Sequence, residues 1–477
     1  MCFVDHDEQP DEMDDAKGVF AHFMVGNTYP YVLRDWTEDI ELAILHHLQV
    51  LGGIVLCGVT KIRSRDGFVL NIGSEDWQKD RVADCFQATE APGSSSFKLF
   101  FSFDMSVIPC ETQGDMQHLL EYIKRWGNHP SMYRRNGKVV VSTFSGENSL
   151  FGFGDMETAW NFVKKSVEEI VPICFMPSFF IDPARYDRLH FMDGAFNVWT
   201  ITFLRCSLGY RSILTTLLQW NGGWPLHLSP GMPRQALESC KLDTDDHHLR
   251  CLGGRSFMAA ISPWFFTHYG PETWNKNWIY RGDDWLFVRR WEQLIAARDH
   301  IDIVQIISWN DYGESHYIGP IKGAQPNSQA WVDGFDHLPW LKLAGYFARA
   351  FKEGVYPRIE EDQIYMWARP HPKDAEAVGD KVPRPRNWEL TDDTYWVVVL
   401  ARAPGTLVLS DGDEESRTIQ VLAGVTKASR PLESGKGMEA RLYRGGDMIV
   451  SCKPSKFCFN PYPPVYNFNA FVAVATS

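Results

Sequence analysis

Residues 301–320 read IDIVQIISWNDYGESHYIGP. The first half is almost continuously apolar, as expected of a parallel strand covered on both faces, and the run stops at Trp309. The next residues pack two carboxylates, Asp311 and Glu314, together with His316 and the aromatics Tyr312 and Tyr317 into one short turn. Upstream runs have the same texture: VFAHFMVG (19–26), DGFVLNIG (66–73), FKLFFSFDM (97–105), KVVVSTFSG (138–146), VPICFMPSFF (171–180), MDGAFNVW (192–199) and SFMAAISPWFF (256–266). Amphipathic stretches lie between several of them, such as DMQHLLEYIKRW, METAWNFVKKSVEEI and DDWLFVRRWEQLIAARDH. Alternating β and α units predict an α/β fold, a (β/α)8 TIM barrel. An open doubly wound sheet is the alternative, but it usually carries a Gly-rich phosphate turn. Gly152 and Gly154 form GFG here, and Glu157 occupies the third glycine position.

Beyond about residue 355 the pattern changes to short alternating runs, YWVVVLARA, TLVLSDG, RTIQVLAG, MEARLYRGG and MIVSCKP, separated by Gly, Asp and Pro turns. The expected organisation is an acidic tail (1–17), the barrel (18–354) and a C-terminal β-sandwich domain (355–477). The Pro- and charge-rich stretch 368–388 is read as a long loop at the start of the sandwich. A chain of 477 residues exceeds what one hydrophobic core usually supports, which also favours two domains.

A net charge of -13 leaves no broad basic surface for phosphate backbones, so nucleic acid is not an expected partner and a neutral substrate fits better. Aromatic residues make up 14% of the chain, including 18 Trp, which serves sugar stacking and core packing equally well. No apolar stretch reaches ~18 residues free of charge, so no membrane span is expected. The nearest, 198–219, carries Arg205 and Arg211. The opening MCFVDHDEQPDEMDDAKG has neither a basic segment nor an apolar one and does not read as a secretory signal. The 10 Cys contain no CxxC and read as free thiols, Cys452 and Cys458 being the one pair spaced for a local disulfide.

In a parallel barrel, function collects at the C-terminal strand ends. This rule selects His22, Asn71, Asp104, Asn197, Asn310, Asp311, Glu314 and His316. Taken singly, a strand-end Asn or Asp often only caps the following helix. The cluster after the last strand says more. Glycoside hydrolysis needs a proton donor for the leaving oxygen and a second carboxylate to activate water or attack the anomeric carbon, and Asp311 and Glu314 supply both. Gly313 between them allows a tight or left-handed turn, and Trp309, Tyr312 and Tyr317 are candidates for a sugar platform. An Asp/Glu/His trio at a barrel mouth could instead hold a divalent metal. No HExxH or GxSxG occurs, DTDDHHL (243–249) reads as a solvated acidic loop, and DGDEES (411–416) lacks EF-hand spacing. No metal and no cofactor is expected.

Taken with SPWFFTHYG, TWNKNWIYRGDDWLFVRRWEQL, GAQPNSQAWVDGFDH, VFAHFMVGNTY and the terminal NPYPPVYNFNAFVA, the segment WNDYGESHYIGP makes the chain resemble the fungal α-1,3-glucanases, or mutanases, of glycoside hydrolase family seventy-one. The resemblance runs from about residue 18 to the end. It implies endo-hydrolysis of α-1,3-glucan with inversion, by a (β/α)8 barrel followed by a β-sandwich. It also implies Asp311 and Glu314 as the catalytic carboxylates and Asp104 as a residue supporting activity. Glu314 as acid and Asp311 as base is the working assignment. The matching strings place Trp220, Trp224, Trp264, His268 and Tyr269 beside His22, Asn71, Asn197, Trp309, Asn310, Tyr312 and His316 as expected substrate contacts. An inverting pair should stand roughly 6.5 to 9.5 Å apart.

Relatives run almost directly from the FN of the sixth strand into WNxGWP, whereas residues 198–219 intervene here. The opening Val and closing Gln of this segment fit GT and AG splice boundaries, so it reads as translated intron sequence; residues 52–65 invite the same reading. The alternative to an active glucanase is a carbohydrate-binding paralogue impaired by these insertions, and a metal-dependent hydrolase would betray itself by sensitivity to chelators. The family is mostly secreted, so localisation stays open between a wall role and a cytoplasmic one.

Overall fold

The computed structural model describes residues 17–46, 66–197, 221–238, 242, 244–282, 284–412 and 416–477. Most of the acidic tail, the segments 52–65 and 198–219, and Trp220 lie outside the described residues.

The eight apolar runs all form strands: β1 (Gly18–Met24), β2 (Gly67–Ile72), β3 (Lys98–Asp104), β5 (Lys138–Phe144), β6 (Ile173–Phe175), β7 (Gly194–Phe196), β8 (Ser256–Ile261) and β11 (Ile303–Ile306). A two-residue strand, β4 (Arg134–Arg135), pairs antiparallel with β5. The others pair in parallel in the order β6, β5, β3, β2, β1, β11, β8, β7. Sequence neighbours are spatial neighbours because each crossover returns the chain one strand along. The row is curled, and next to β6 and β7 Asp193 N donates to Phe175 O (2.9 Å) and Phe196 N to Pro177 O (3.0 Å).

Side-chain alternation explains why the runs are apolar throughout. Phe20, Val69, Phe100, Val140, Cys174, Phe196, Met258 and Ile303 give one buried inner cluster a residue from every parallel strand. Their neighbours Ala21, Leu70, Phe101 and Val141 point the other way, into the larger core formed with the helices. The expected helices appear at Gln117–Trp126, Met156–Glu168 and Leu286–Ala296. Asp155 caps the second by accepting from Thr158 N at 2.8 Å. The helix Leu338–Glu353 buries its apolar face and stops at Gly354, whose φ of 75° is left-handed. Buried Asp66 accepts from Val19 N (2.9 Å) and pairs with Lys352, tying β1 and β2 to that helix.

One expected strand is broken. The run 256–266 is not continuous: β8 ends at Ile261, and after a bend at Ser262–Phe265 a separate hairpin begins, β9 (Phe266–His268) with β10 (Asn277–Ile279). Apolar continuity could not show this, since both segments are buried.

The C-terminal texture forms β12 (Gln363–Ala368), β13 (Thr394–Ala401), β14 (Gly405–Ser410), β15 (Arg417–Val421), β16 (Gly424–Pro431), β17 (Glu439–Arg444), β18 (Asp447–Cys452) and β19 (Phe471–Thr476). They make two four-stranded antiparallel sheets, β16-β13-β12-β19 and β15-β14-β17-β18. Ile364, Val397, Leu407 and Leu442 from both sheets meet in one apolar cluster. Cys452 belongs to that cluster whereas Cys458 is exposed, and both are free thiols, so the one pair spaced for a local disulfide does not form it. Among the described residues, no helix is long and apolar enough to cross a membrane.

Candidate active site

The turn after β11 is built before it is functional. Trp309 N donates to His22 O (2.7 Å), Ile318 N to Ser308 O (2.9 Å) and Gly319 N to Trp309 O (2.8 Å), so both limbs of the turn are pinned. Asn310 adds a clamp: its Oδ1 accepts from Met24 N (2.8 Å) and its Nδ2 donates to Met24 O (3.0 Å). A side-chain amide here takes the place of a strand neighbour for the end of β1. Asn310 is fully buried and spent on that backbone, which corrects its expected role as a substrate contact.

A single 3-10 turn, Tyr312–Glu314, then presents the carboxylates. The left-handed residue is Ser315 (φ 60°), not Gly313. Gly313 is needed for space instead: a Cβ there would lie 2.3 Å from Tyr269 Oη, and that hydroxyl is held by Pro326 O at 2.7 Å.

Asp311 and Glu314 converge on His316, whose Nε2 lies 3.4 Å from Asp311 Oδ2 and 3.2 Å from Glu314 Oε2. The second Glu314 oxygen, Oε1, accepts from Lys276 Nζ at 3.0 Å. Burial alone would lower the His316 pKa, but the two carboxylates override it and push it up to about 9. Burial would likewise raise Glu314, yet Lys276 and His316 hold it well below the usual carboxylate range. Glu314 is thus an anion with a cationic donor on each oxygen. Lys276 is itself raised, first by Glu314, then also by Asp311 and Asp104.

Asp104 ends β3, half-buried, and its Oδ1 accepts from Ser106 N (3.1 Å) and Ser106 Oγ (2.5 Å), in part the capping role considered for strand-end aspartates. Burial pushes its carboxyl up, with Ser106 and Lys276 opposing. His22 lies buried beside His316; burial holds it well below the ordinary histidine value, and Gln305 Nε2 donates to its Nδ1 at 2.6 Å. Asn71 is buried on β2, and neither its Nδ2 nor His316 Nδ1 has a hydrogen-bond partner among the described residues.

The remaining expected contacts divide. Trp224 stands against the site, its ring centroid 5.5 Å from that of His316. Tyr269 packs over Gly313. Trp309, Tyr312 and Tyr317 are 0% exposed and packed in the core, so the expected platform is not formed by them. Trp264 is also buried and donates from Nε1 to Phe468 O (2.9 Å). Asn197 donates to Asp245, which Arg290 holds through its Nη2 at 3.0 Å, a buried structural network. His268 is bonded to Asn277 Oδ1 and Asp380 Oδ2, each at 2.9 Å.

Sequence reasoning missed Lys276, and it missed Trp274, which is 52% exposed at the hairpin tip with its ring 4.6 Å from Tyr269. Both sit inside TWNKNWIY, where a Lys between two Asn carries no periodic signal.

One ligand atom from each of Asp311, Glu314 and His316 lies within 4.8 Å of the others, close enough to surround a cation. The donor chemistry fits poorly. His316 Nε2 is directed at both carboxylates, and Lys276 already pairs with Glu314 Oε1, so a cation would have to displace these contacts.

The chain is 33% identical over 469 residues to a glucan endo-1,3-alpha-glucosidase of Schizosaccharomyces pombe, covering 96% of this chain and 94% of that protein. It is 30% identical over 477 residues to a mutanase of Penicillium rubens, covering 98% and 90%. Among solved structures, a GH99 endo-alpha-mannosidase from Bacteroides thetaiotaomicron aligns with a TM-score of 0.41 at 14% identity, over 68% of this chain and 81% of that one. Residues 15–477 match glycosyl hydrolase family 71, and the chain belongs to that family and is a glycoside hydrolase.

Proposed function

We propose that the protein hydrolyses internal α-1,3-glucosidic bonds of α-1,3-glucan with inversion, using Asp311 and Glu314. The observation that carries this reading is the pair of buried Glu314 and half-buried Asp311, bridged by His316 after the C-terminal end of β11, where a parallel sheet gathers its loops. The linkage is that of the related glucan endo-1,3-alpha-glucosidase and mutanase. Glu314, held anionic by Lys276 and His316, acts as the base that takes a proton from water. Asp311 is the proton donor to the leaving oxygen, and after the bond breaks the proton that Glu314 has taken from water passes back to Asp311 through His316, which contacts both carboxylates. This reverses the working assignment made from the sequence. Residues 18–354 act as a closed (β/α)8 catalytic barrel, supported by the inner cluster and the bonds between β6 and β7, and 355–477 as an accessory β-sandwich.

Spacing favours a second reading of the donor. Oxygens of Asp311 and Glu314 approach within 4.8 Å, short of the roughly 6.5 to 9.5 Å that separates the carboxyl groups of an inverting pair and leaves room for water. Asp104, pushed up by burial and sharing Lys276 with Glu314, is the alternative proton donor. Incubation with insoluble α-1,3-glucan, following reducing ends and the first anomer by NMR, tests both. Absence of product defeats the hydrolase reading, and an initial α-anomer defeats inversion. Loss of the basic limb of the pH profile in Asp104→Asn but not in Asp311→Asn selects the second donor.

A further inference from the structure

We infer that Lys276 is a positioning residue that holds Glu314 as an oriented anion, and that the loop 376–387 keeps Lys276 in place by bracing the hairpin that carries it. The inference rests on the hydrolase reading above.

The hairpin is too small to hold itself. β9 and β10 have three residues each, and an isolated two-stranded ribbon is marginal in water. Tyr269 N donates to Lys276 O at 2.6 Å and so sets the backbone from which the lysine projects, but the next support comes from far along the chain. Arg386 N donates to Asn277 O (3.1 Å) and Ile279 N to Arg386 O (3.0 Å), so residue 386 behaves as a third strand beside β10. Asn277 Nδ2 donates to Pro383 O at 2.6 Å.

The side-chain anchor is Asp380. Its Oδ2 meets His268 Nε2 at 2.9 Å and accepts from Tyr466 N at 2.8 Å, while its Oδ1 accepts from Val382 N at 2.9 Å. The Asp380 and His268 side chains are 7% and 4% exposed, so solvent screens this contact little. Asp380 is therefore wired through His268 and Asn277 to the backbone next to Lys276.

The ammonium stands at the centre of the site's charge. It contacts Glu314 Oε1 at 3.0 Å and also feels Asp311 and Asp104. Glu314 faces Lys276 from the hairpin and His316 from its own turn, and the phenols of Tyr269 and Tyr280 feel its charge. His316 Nε2 is shared with Asp311, whereas the Lys276 ammonium makes its direct ion pair with Glu314. Without it, a buried carboxylate keeps half its compensation and takes up a proton at higher pH.

The test compares Lys276→Met, Lys276→Arg, Asp380→Ala and the double variant Lys276→Met/Asp380→Ala, with pH profiles of kcat/KM on α-1,3-glucan oligosaccharides. Lys276→Met is expected to move the acid limb up by about one pH unit or more and to lower kcat about tenfold. Lys276→Arg should restore the limb. Asp380→Ala should cost several-fold alone and much less in the Lys276→Met background, because it acts through the lysine. An unmoved acid limb in Lys276→Met, or an Asp380→Ala cost that is equal in both backgrounds, overturns the inference. If the wild-type protein releases no product, the hydrolase reading has failed. The 13C carboxyl titration of Glu314, assigned with Glu314→Gln, then decides on Lys276: a midpoint unchanged by Lys276→Met overturns it.

Discussion

The turn 309–319 and the hairpin tip 269–276 meet at Glu314, and they are built in opposite ways. In the turn, Trp309, Asn310, Tyr312, Ser315 and Tyr317 are 0% exposed, and backbone bonds to β1 and across its own limbs fix every limb. In the tip, residues 271–275 are exposed, and its support comes from a loop beyond β12. Groups that exchange protons must hold their geometry closely, which a turn sewn into a parallel sheet provides. Groups that meet a polysaccharide can sit on a more accessible element, provided something braces it. On the proposed function, the difference separates residues that do chemistry from residues that orient or contact.

The comparison breaks most sharply at the carboxylates. Asp311→Asn or Glu314→Gln should each lower kcat by roughly a hundredfold or more, because each removes a proton-transfer group, and Glu314→Gln should also lower the thermal midpoint, because it leaves Lys276 and His316 without their shared anion. Loss of stability without loss of rate would place the chemistry elsewhere.

His316 comes next, read by stability. Its folded pKa, about 9, lies above the ordinary value of 6.5 because two carboxylates face it. The stabilisation is complete below about pH 6.5 and is lost as pH rises toward 9. Unfolding free energy should fall across that window by on the order of 1 to 3 kcal/mol in the wild type, and less steeply in His316→Gln. Equal slopes would mean that the imidazole does not carry the proton.

Gly313→Ala sharpens the contact between turn and tip. The new methyl meets Tyr269 Oη, so either the ring or the turn must move, and kcat should fall about tenfold. Restored activity in Gly313→Ala/Tyr269→Phe would identify the hydroxyl as the obstacle. Smallest is Trp274→Ala. A stacked sugar on an exposed indole contributes roughly 0.5 to 1.5 kcal/mol, so KM should rise about three- to tenfold with kcat nearly unchanged. A fall in kcat alone would place Trp274 among the positioning residues.

Much of the fold was legible. Every apolar run chosen from the sequence contains a strand, because burial on both faces leaves a local trace that needs no knowledge of partners. The carboxylate turn was legible for a related reason, since polar residues cannot continue a buried strand and must mark its end. The aromatics misled. Trp309, Tyr312 and Tyr317 looked like a sugar platform by composition, but an aromatic ring packs a core as readily as it stacks on a sugar. Asn310 misled because its amide imitates a backbone neighbour, which sequence cannot distinguish from recognition.

Hydrophobic periodicity thus determined the strands and helices, and chain order placed Asp311 and Glu314 at the end of β11. Tertiary structure alone decided their company. Lys276 is 38 residues from Glu314, and Asp380 is 112 residues from His268. Contacts at such separation arise when the curled sheet and the C-terminal loop bring distant backbone together, and Coulomb energy depends on that final distance, not on spacing along the chain.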